Sequence, residues 1–471
     1  MIRKLVLSCA FLLSLASAQS YRVTSEKPPQ VTREFRAAWI ASVYNIDWPS
    51  AKGLSSSSQK AEIRAILDRL KSLRMNAAIV QIRPHADALY SSKIEPWSPW
   101  LTGKMGKSPG YDPLTYWIEQ AHSRGIEVHA WFNPFRALTN VNNPVSKDHI
   151  SRSKPYVIRR YGSKLWADPA HPETRRRALD TILDVVRRYD IDGVHLDDYF
   201  YPYPKGNLRF NDGKSPAQRR AYVDSFVKDM YSSVKKQKPW VRVGISPFGI
   251  WRPGVPSGIE AGVDSYEDLA ADSRKWLKNG WLDYLAPQLY WRIEPRKQSY
   301  TALLEWWRGQ GTRPVWPGIA TTRIQSTEDP GRPASEIINQ INLSRKIGKN
   351  WVGHIHWSVS GLMKNQGGIS SSLAKVYTQP VAVPPMPWLS KSPPPPPHLS
   401  AKATGAKTTI RWSSRSSAKM AIHGRYRGTW RTIAIIPSKT NGAVIQKPDA
   451  VAITALDRFG NASPSQVLTI Q

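Results

Sequence analysis

Residues Asp190 to Pro204 read DIDGVHLDDYFYPYP. A turn gives way to a short alternation, Val194, His195, Leu196, which stops at two adjacent carboxylates, Asp197 and Asp198, followed at once by Tyr199, Phe200 and Tyr201. Acids at a strand end beside aromatic walls belong at the C-terminal mouth of a (β/α)8 barrel, where that fold carries its catalytic groups.

Outward from this stretch, short β-rich runs alternate with amphipathic helices, the pattern of a parallel sheet wrapped by helices. Expected strands are 35–41, 77–82, 126–131, the acid-bearing run, 241–246, 282–285, 315–320 and 352–357. Between them, Ile63, Ile66, Leu67, Leu70 and Leu73 share one helix face, and Asp112 with Pro113 marks a helix start that Gly125 ends. Eight such units fit one decorated barrel. An open doubly wound sheet would usually carry a glycine-rich phosphate turn, and no G-x-G-x-x-G is present.

The predicted fold is therefore an α/β, TIM-type (β/α)8 barrel over residues 30–378. A proline-rich linker follows over 379–399, with nine prolines from 380 to 398 acting as a stiff extended spacer. Short alternating runs over 400–471 predict a small β-sandwich of the fibronectin type III or immunoglobulin kind. Residues 1–18 read as a signal peptide, with basic Arg3 and Lys4, an apolar run, and Ala16-Ser17-Ala18 as the cleavage site. The expected localisation is secreted, in the bacterial envelope or medium. Cys9 lies inside that leader, so the mature chain would hold no disulfide.

At 471 residues with 41% hydrophobic content the chain can bury a large core, and its 20 tryptophans exceed ordinary usage. The net charge of +32 draws polyanions. For an exported chain these are wall polymers before nucleic acid, and no nucleic-acid partner is expected. Residues 400–471 hold 11 Lys and Arg against 2 Asp and Glu, so this module is a candidate anchor on anionic envelope polymers or a passive spacer.

Glycoside cleavage needs two carboxyl groups flanking the scissile bond. Side chains alternate along a strand, so Asp197 is expected to face the barrel axis with His195, and Asp198 to face away in support. The end of strand seven, Thr321-Thr322-Arg323, offers no acid. The second carboxyl is therefore sought among rim-loop acids, with Glu267 and Asp87 foremost and Glu95, Asp268 and Glu294 behind them. Candidate sugar contacts are Trp39, Asp47, Trp48, Arg83, Asn133, Arg136, His195, Tyr199, Trp251, Gln288, Tyr290, Trp291 and His356. No metal site or cofactor is expected: H-E-x-x-H is absent, and His354-x-His356 suits a sugar contact or a core pair better than a metal. A G-x-S-x-G nucleophile elbow is absent too.

Several stretches, in order and spacing, resemble the bacterial glycosyl-hydrolase-like family 10: FRAAWIASVYNIDWPS, QIRPHADALYSSKIEPWSPWLTGKMGKSPGYDPL, HAWFNPFRA, DGVHLDDYFYPYP, GISPFGIWRP and GWLDYLAPQLYW. The resemblance runs from about Glu34 to Trp357. It implies a hydrolytic barrel with Asp197 and Asp198 on the family's acidic fourth-strand motif, similar to envelope hydrolases that cut peptidoglycan glycan strands. The expected function is a secreted glycoside hydrolase of cell-wall polysaccharide, with Asp197 as nucleophile or stabilising carboxylate and a rim-loop acid as proton donor. The alternative is a non-catalytic glycan-binding or cell-division scaffold protein with a degenerate barrel.

Overall fold

A computed structural model describes residues 19–348 and 351–470; the expected signal peptide lies outside the described residues. Eight parallel strands form the barrel: β1 (Phe35–Ile40), β2 (Ala77–Arg83), β3 (Glu127–Phe132), β4 (Gly193–Leu196), β5 (Arg242–Ile245), β6 (Tyr284–Leu285), β7 (Gly318–Ala320) and β8 (Gly353–Trp357). Their order in the sheet is 6-5-4-3-2-1-8-7. The ring closes between β6 and β7 through parallel bridges Leu285–Val315 and Gln288–Gly318, with the Leu285 amide donating to the Pro314 carbonyl at 2.9 Å.

Side-chain alternation sorts the strands into two cores. Ala38, Ile40, Ala78, Val80, Val128, Ala130, Val194 and Leu196 face outward and pack under the helices. Phe35, Ala37, Trp39, Ile79, Trp131, Tyr284, Trp316 and Ile355 fill the barrel interior, so this is a packed core rather than a pore. The interior takes large rings because small residues stand opposite them: a Cβ on Gly244 would lie 1.9 Å from the Tyr284 ring. Caps follow the local sequence. Asp112 accepts the amides of Leu114 and Thr115 ahead of Pro113–Ser123, and Ser215 with Gln218 forms a capping box on Pro216–Gln237.

The domain boundaries differ from expectation at both ends of the barrel. The strand Gln19–Val23 belongs to the C-terminal module, where it lies antiparallel between Gln466–Ile470 and His398–Thr404 in an eight-stranded antiparallel sheet. That sheet fits a sandwich, its two halves sharing a core of Leu399, Ile410, Trp412, Met420, Ile422, Ile445, Val451, Ile453 and Leu468. The proline-rich segment, expected as a stiff extended spacer, packs in part against the barrel. Val381, Ala382, Val383 and Met386 are buried, Glu34 donates its amide to Ala382, and the Trp388 indole donates to Asp283 at 2.9 Å. Apolar residues interspersed with the first four prolines give this part a face to bury, whereas in the uninterrupted run Pro393–Pro397 most residues are exposed.

Module and barrel also meet through charge pairs, Lys419–Glu127 at 3.2 Å and Arg458 with Asp190 and Asp192. Removing Gln19–Val23 would leave two antiparallel edges unpaired and take Tyr21 from its bonds to Thr408 and the Pro448 carbonyl. A chain beginning at Thr24 is expected to melt about 4–8 °C below one beginning at Gln19, as read by scanning calorimetry; equal melting temperatures would show that this strand contributes nothing to the fold.

Candidate active site

At the C-terminal end of the strands a cavity of about 490 Å³ opens, lined by Trp39, Trp131, Asp197, Asp198, Tyr199, Tyr203, Ser246, Phe248, Gln288, Tyr290, Trp291, Thr322, Arg323, Ser326, Thr327, Glu328 and Trp357. Its size is that of an ordinary small-ligand pocket. Both carboxylates are in its wall. β4 ends at Leu196, so strand alternation no longer governs the next two residues; the expectation that Asp198 turns away fails for that reason.

Asp197 is 4% exposed. Its Oδ2 accepts the Asn133 amide at 2.5 Å and the Trp131 indole at 3.2 Å, while Oδ1 accepts the Tyr199 backbone amide at 3.3 Å. Burial, and then the neighbouring Asp198 charge, push its carboxyl up to about 7 against the opposing pull of Arg136, the Tyr199 amide and Asn133. Asp198 accepts the Tyr203 phenol, and it too is raised, by burial, with Tyr203, its own backbone amide and Gln288 opposing. Two close carboxyls out of water cannot both ionise easily, so they titrate as a pair.

Behind Asp197 stands a rigid relay. Asn133 accepts the Gln81 amide at 2.6 Å, and Arg83 donates to the Asn133 carbonyl while forking onto Glu95 at 2.7 and 2.5 Å. Arg136, on the strand Arg136–Leu138 after β3, lies 4.4 Å above the Tyr199 ring. Gln288 donates to the Ser246 carbonyl at 2.9 Å. Tyr290 and Trp357 stack at 6.3 Å, and Trp291 meets Phe248 edge-on at 5.7 Å.

Of the expected sugar contacts, Trp39, Tyr199, Gln288, Tyr290 and Trp291 line the cavity. Asn133, Arg83 and Arg136 act behind it. His195 is barrel core: fully buried, it bonds the Tyr284 hydroxyl, the Ser246 hydroxyl and the Trp39 indole, and burial lowers its pKa well below the usual value. His356 faces outward, since Ile355 faces inward, and bonds Thr321 and Tyr377. Trp48 packs edge-on against Trp117 in the helix layer. Asp47 clamps loops, accepting the Ala41 amide and the Ser358 hydroxyl. Trp251 stacks on Trp306 outside the cavity.

Neither favoured second acid reaches the pocket. Glu267 pairs with Arg220 at 2.8 Å and Arg252 at 3.5 Å on the outer rim. Asp87 is sealed in the loop after β2, accepting the His85 amide, and burial pushes it up to about 6. Glu95 is consumed by Arg83, Asp268 accepts the Asp264 amide, and Glu294 is exposed away from the cavity. The strand-seven loop, thought to lack an acid, supplies Glu328 to the cavity wall, paired with Arg323 at 3.0 Å. Trp131, Tyr203, Phe248 and Trp357 were also missed, although each lies at or just past a strand end. Among the described residues no group of three or more His, Cys, Asp or Glu gathers in metal-binding fashion.

A family model described as glycosyl hydrolase-like 10 matches residues 34–330. Glycosyl hydrolase YngK of Bacillus subtilis (strain 168) is 40% identical over 480 aligned positions, covering 93% of this chain and 94% of its own. Glycosyl hydrolase DigH of Escherichia coli (strain K12) is 34% identical over 351 positions, covering 65% of this chain and 79% of its own. Among solved structures, the PgaB (BpsB) glycoside hydrolase domain from Bordetella bronchiseptica overlaps with a TM-score of 0.48 at 12% identity, covering 72% of this chain and 98% of that one.

Proposed function

Because the chain belongs to the glycosyl hydrolase-like 10 family, we propose that it is an exported glycoside hydrolase of cell-wall glycan, acting on the glycan strands of peptidoglycan. The observation that carries the reading is the paired, desolvated carboxyls Asp197 and Asp198, both lining an aromatic cavity. Stacked faces such as Tyr290 and Trp357 suit pyranose rings. The signal peptide expected over residues 1–18 would deliver the chain to the envelope, and the basic C-terminal module would hold it to anionic polymers there.

Burial raises both carboxyls, and the mutual repulsion of their charges favours a state in which the pair keeps a proton. In this reading Asp197 in its protonated form donates to the leaving glycosidic oxygen, while Asp198 in its ionised form stabilises positive charge at the anomeric carbon or activates the incoming nucleophile. Asn133, Trp131 and Tyr203 hold both groups in place. Glu328, on the strand-seven loop, also lines the cavity and is the alternative acid.

Mature protein incubated with peptide-free glycan strands is expected to generate new reducing ends. Binding without cleavage would leave only the glycan-binding role. The pH dependence is set by Asp197, which keeps its proton below about pH 7. In this reading kcat/KM falls above that pH, by about tenfold per unit, as ionisation removes the donor. A profile still rising at pH 8 would assign Asp197 to the base or nucleophile role instead.

A further inference from the structure

Directly after the buried strand β1, Tyr44 is 56% exposed. Tyr44 and Asn45 both adopt left-handed backbone, at φ 56° and 54°, a region that costs non-glycine residues energy and is kept only where the surroundings enforce it. Here they do. The amides of Ser42 and Val43 donate to Gln81 Oε1 at 3.0 and 2.9 Å, and Gln81 donates to Asn133, which donates to Asp197. Asn45 fixes the far side through the carbonyls of Pro49 and Trp100 at 2.8 and 3.0 Å.

The Tyr44 loop is thus tied by three successive hydrogen bonds to the carboxyl at the centre of the site. Its ring leans on Trp100, centroids 5.4 Å apart, and leaves much of its surface to solvent. Its phenol is close enough to Tyr199, in the cavity wall, to help burial raise that group. A strained loop held in register with Asp197 thus keeps an aromatic exposed outside the cavity lining, where a ligand longer than the cavity can meet it.

We propose that Tyr44 is a sugar-stacking platform beyond the pocket on the β1 side, so that the site grips an extended glycan chain and acts within it rather than only at its end. This rests on the glycoside reading of the Asp197 pocket. Its ligand class is a pyranose ring in continuous chain with the sugar beside Asp197.

The test is calorimetric binding, in an Asp197→Asn background whose turnover is strongly reduced, of peptide-free glycan disaccharide, tetrasaccharide and octasaccharide. Tyr44→Asn removes the ring while keeping a residue tolerant of left-handed backbone, and Tyr44→Phe keeps the ring. The expected result is affinity that climbs with chain length, an octasaccharide-to-disaccharide ratio about tenfold smaller in Tyr44→Asn, and recovery of that ratio in Tyr44→Phe. A ratio unchanged by Tyr44→Asn, or no glycan binding at any length, overturns the proposal. Reducing-end release by the unmodified protein is scored separately. Length-dependent binding through Tyr44 without cleavage sinks the hydrolase reading, and action within the chain with it, while the stacking platform stands; cleavage with a Tyr44-independent ratio sinks the platform alone.

Discussion

Asp197→Asn is expected to lower kcat/KM on glycan by about 10²–10⁴-fold and, at pH 8, to make the folded protein more stable. The loss follows from removing the proton donor while Asn133, Trp131 and Tyr203 stay in place. The gain follows from linkage. An unfolded aspartate titrates near 3.9, whereas the folded carboxyl is pushed up to about 7 by burial and by Asp198. Folding therefore takes up a proton between those values, and stability falls as pH rises through that window. Asparagine has no charge to bury, so the variant should gain ~1–3 kcal/mol at pH 8 and almost nothing at pH 4. The gain stays below the full linkage value because asparagine cannot satisfy both the Tyr199 amide and the two donors on the other oxygen. Denaturant unfolding at the two pH values, beside a reducing-end assay, checks both halves. An inactive variant with no gain at pH 8 would mean that Asp197 is ionised and well compensated in the folded state.

The second large effect is expected at Arg83→Met, a residue that never touches the cavity. Arg83 and Glu95 are both almost fully buried, and the fork between them is completed by the Arg83 bond to the Asn133 carbonyl. Without the guanidinium, Glu95 retains only Arg177 at 3.5 Å. An uncompensated buried carboxylate costs about 3–5 kcal/mol, so the melting temperature should drop well below that of the parent protein. Activity should fall as well, because the Asn133 backbone that aims its amide at Asp197 loses its brace. Arg83→Met with Glu95→Leu should recover most of the stability and less of the activity. If the single variant melts like the parent, the pair is not holding the loop after β2.

The barrel was legible because strand length, outward-facing Val, Ile, Leu and Ala, and helix caps such as Asp112-Pro113 are local features. The acid pair was legible because β4 is short and its end abrupt. Wrong placements came from extending strand alternation where it did not hold, or neglecting it where it did. Asp198 lies past the last strand residue, so it need not alternate with Asp197. His356 lies within β8 and alternates with Ile355, so it faces Tyr377 and not the sugar side. Glu328 lies beyond the strand end at Thr321–Arg323, where a short turn with a following loop carries the acid back to the cavity.

Rim acids failed for another reason. Glu267, Glu95 and Asp87 all follow strands at the right end, but whether a loop acid faces a ligand or an arginine depends on the partner that tertiary packing brings. Arg220 approaches from the helix Pro216–Gln237, which precedes β5, and captures Glu267. The N-terminal strand is the extreme case: Gln19–Val23 pairs with strands nearly four hundred residues or more away in sequence, and no short-range pattern encodes that choice.

By itself, then, the sequence determined the strand and helix periodicity, the family motif and the carboxyl pair at the end of β4, since each is written in residues a few positions apart. Only the tertiary structure decided that both carboxyls line one cavity, that Glu328 rather than Glu267 joins them, that Tyr44 is left exposed on a loop tied to them, and that Gln19–Val23 and Gln466–Ile470 pair in one sheet. Those outcomes depend on which distant groups compete for the same hydrogen bond or the same desolvated space, and that competition is resolved only when the whole chain has packed.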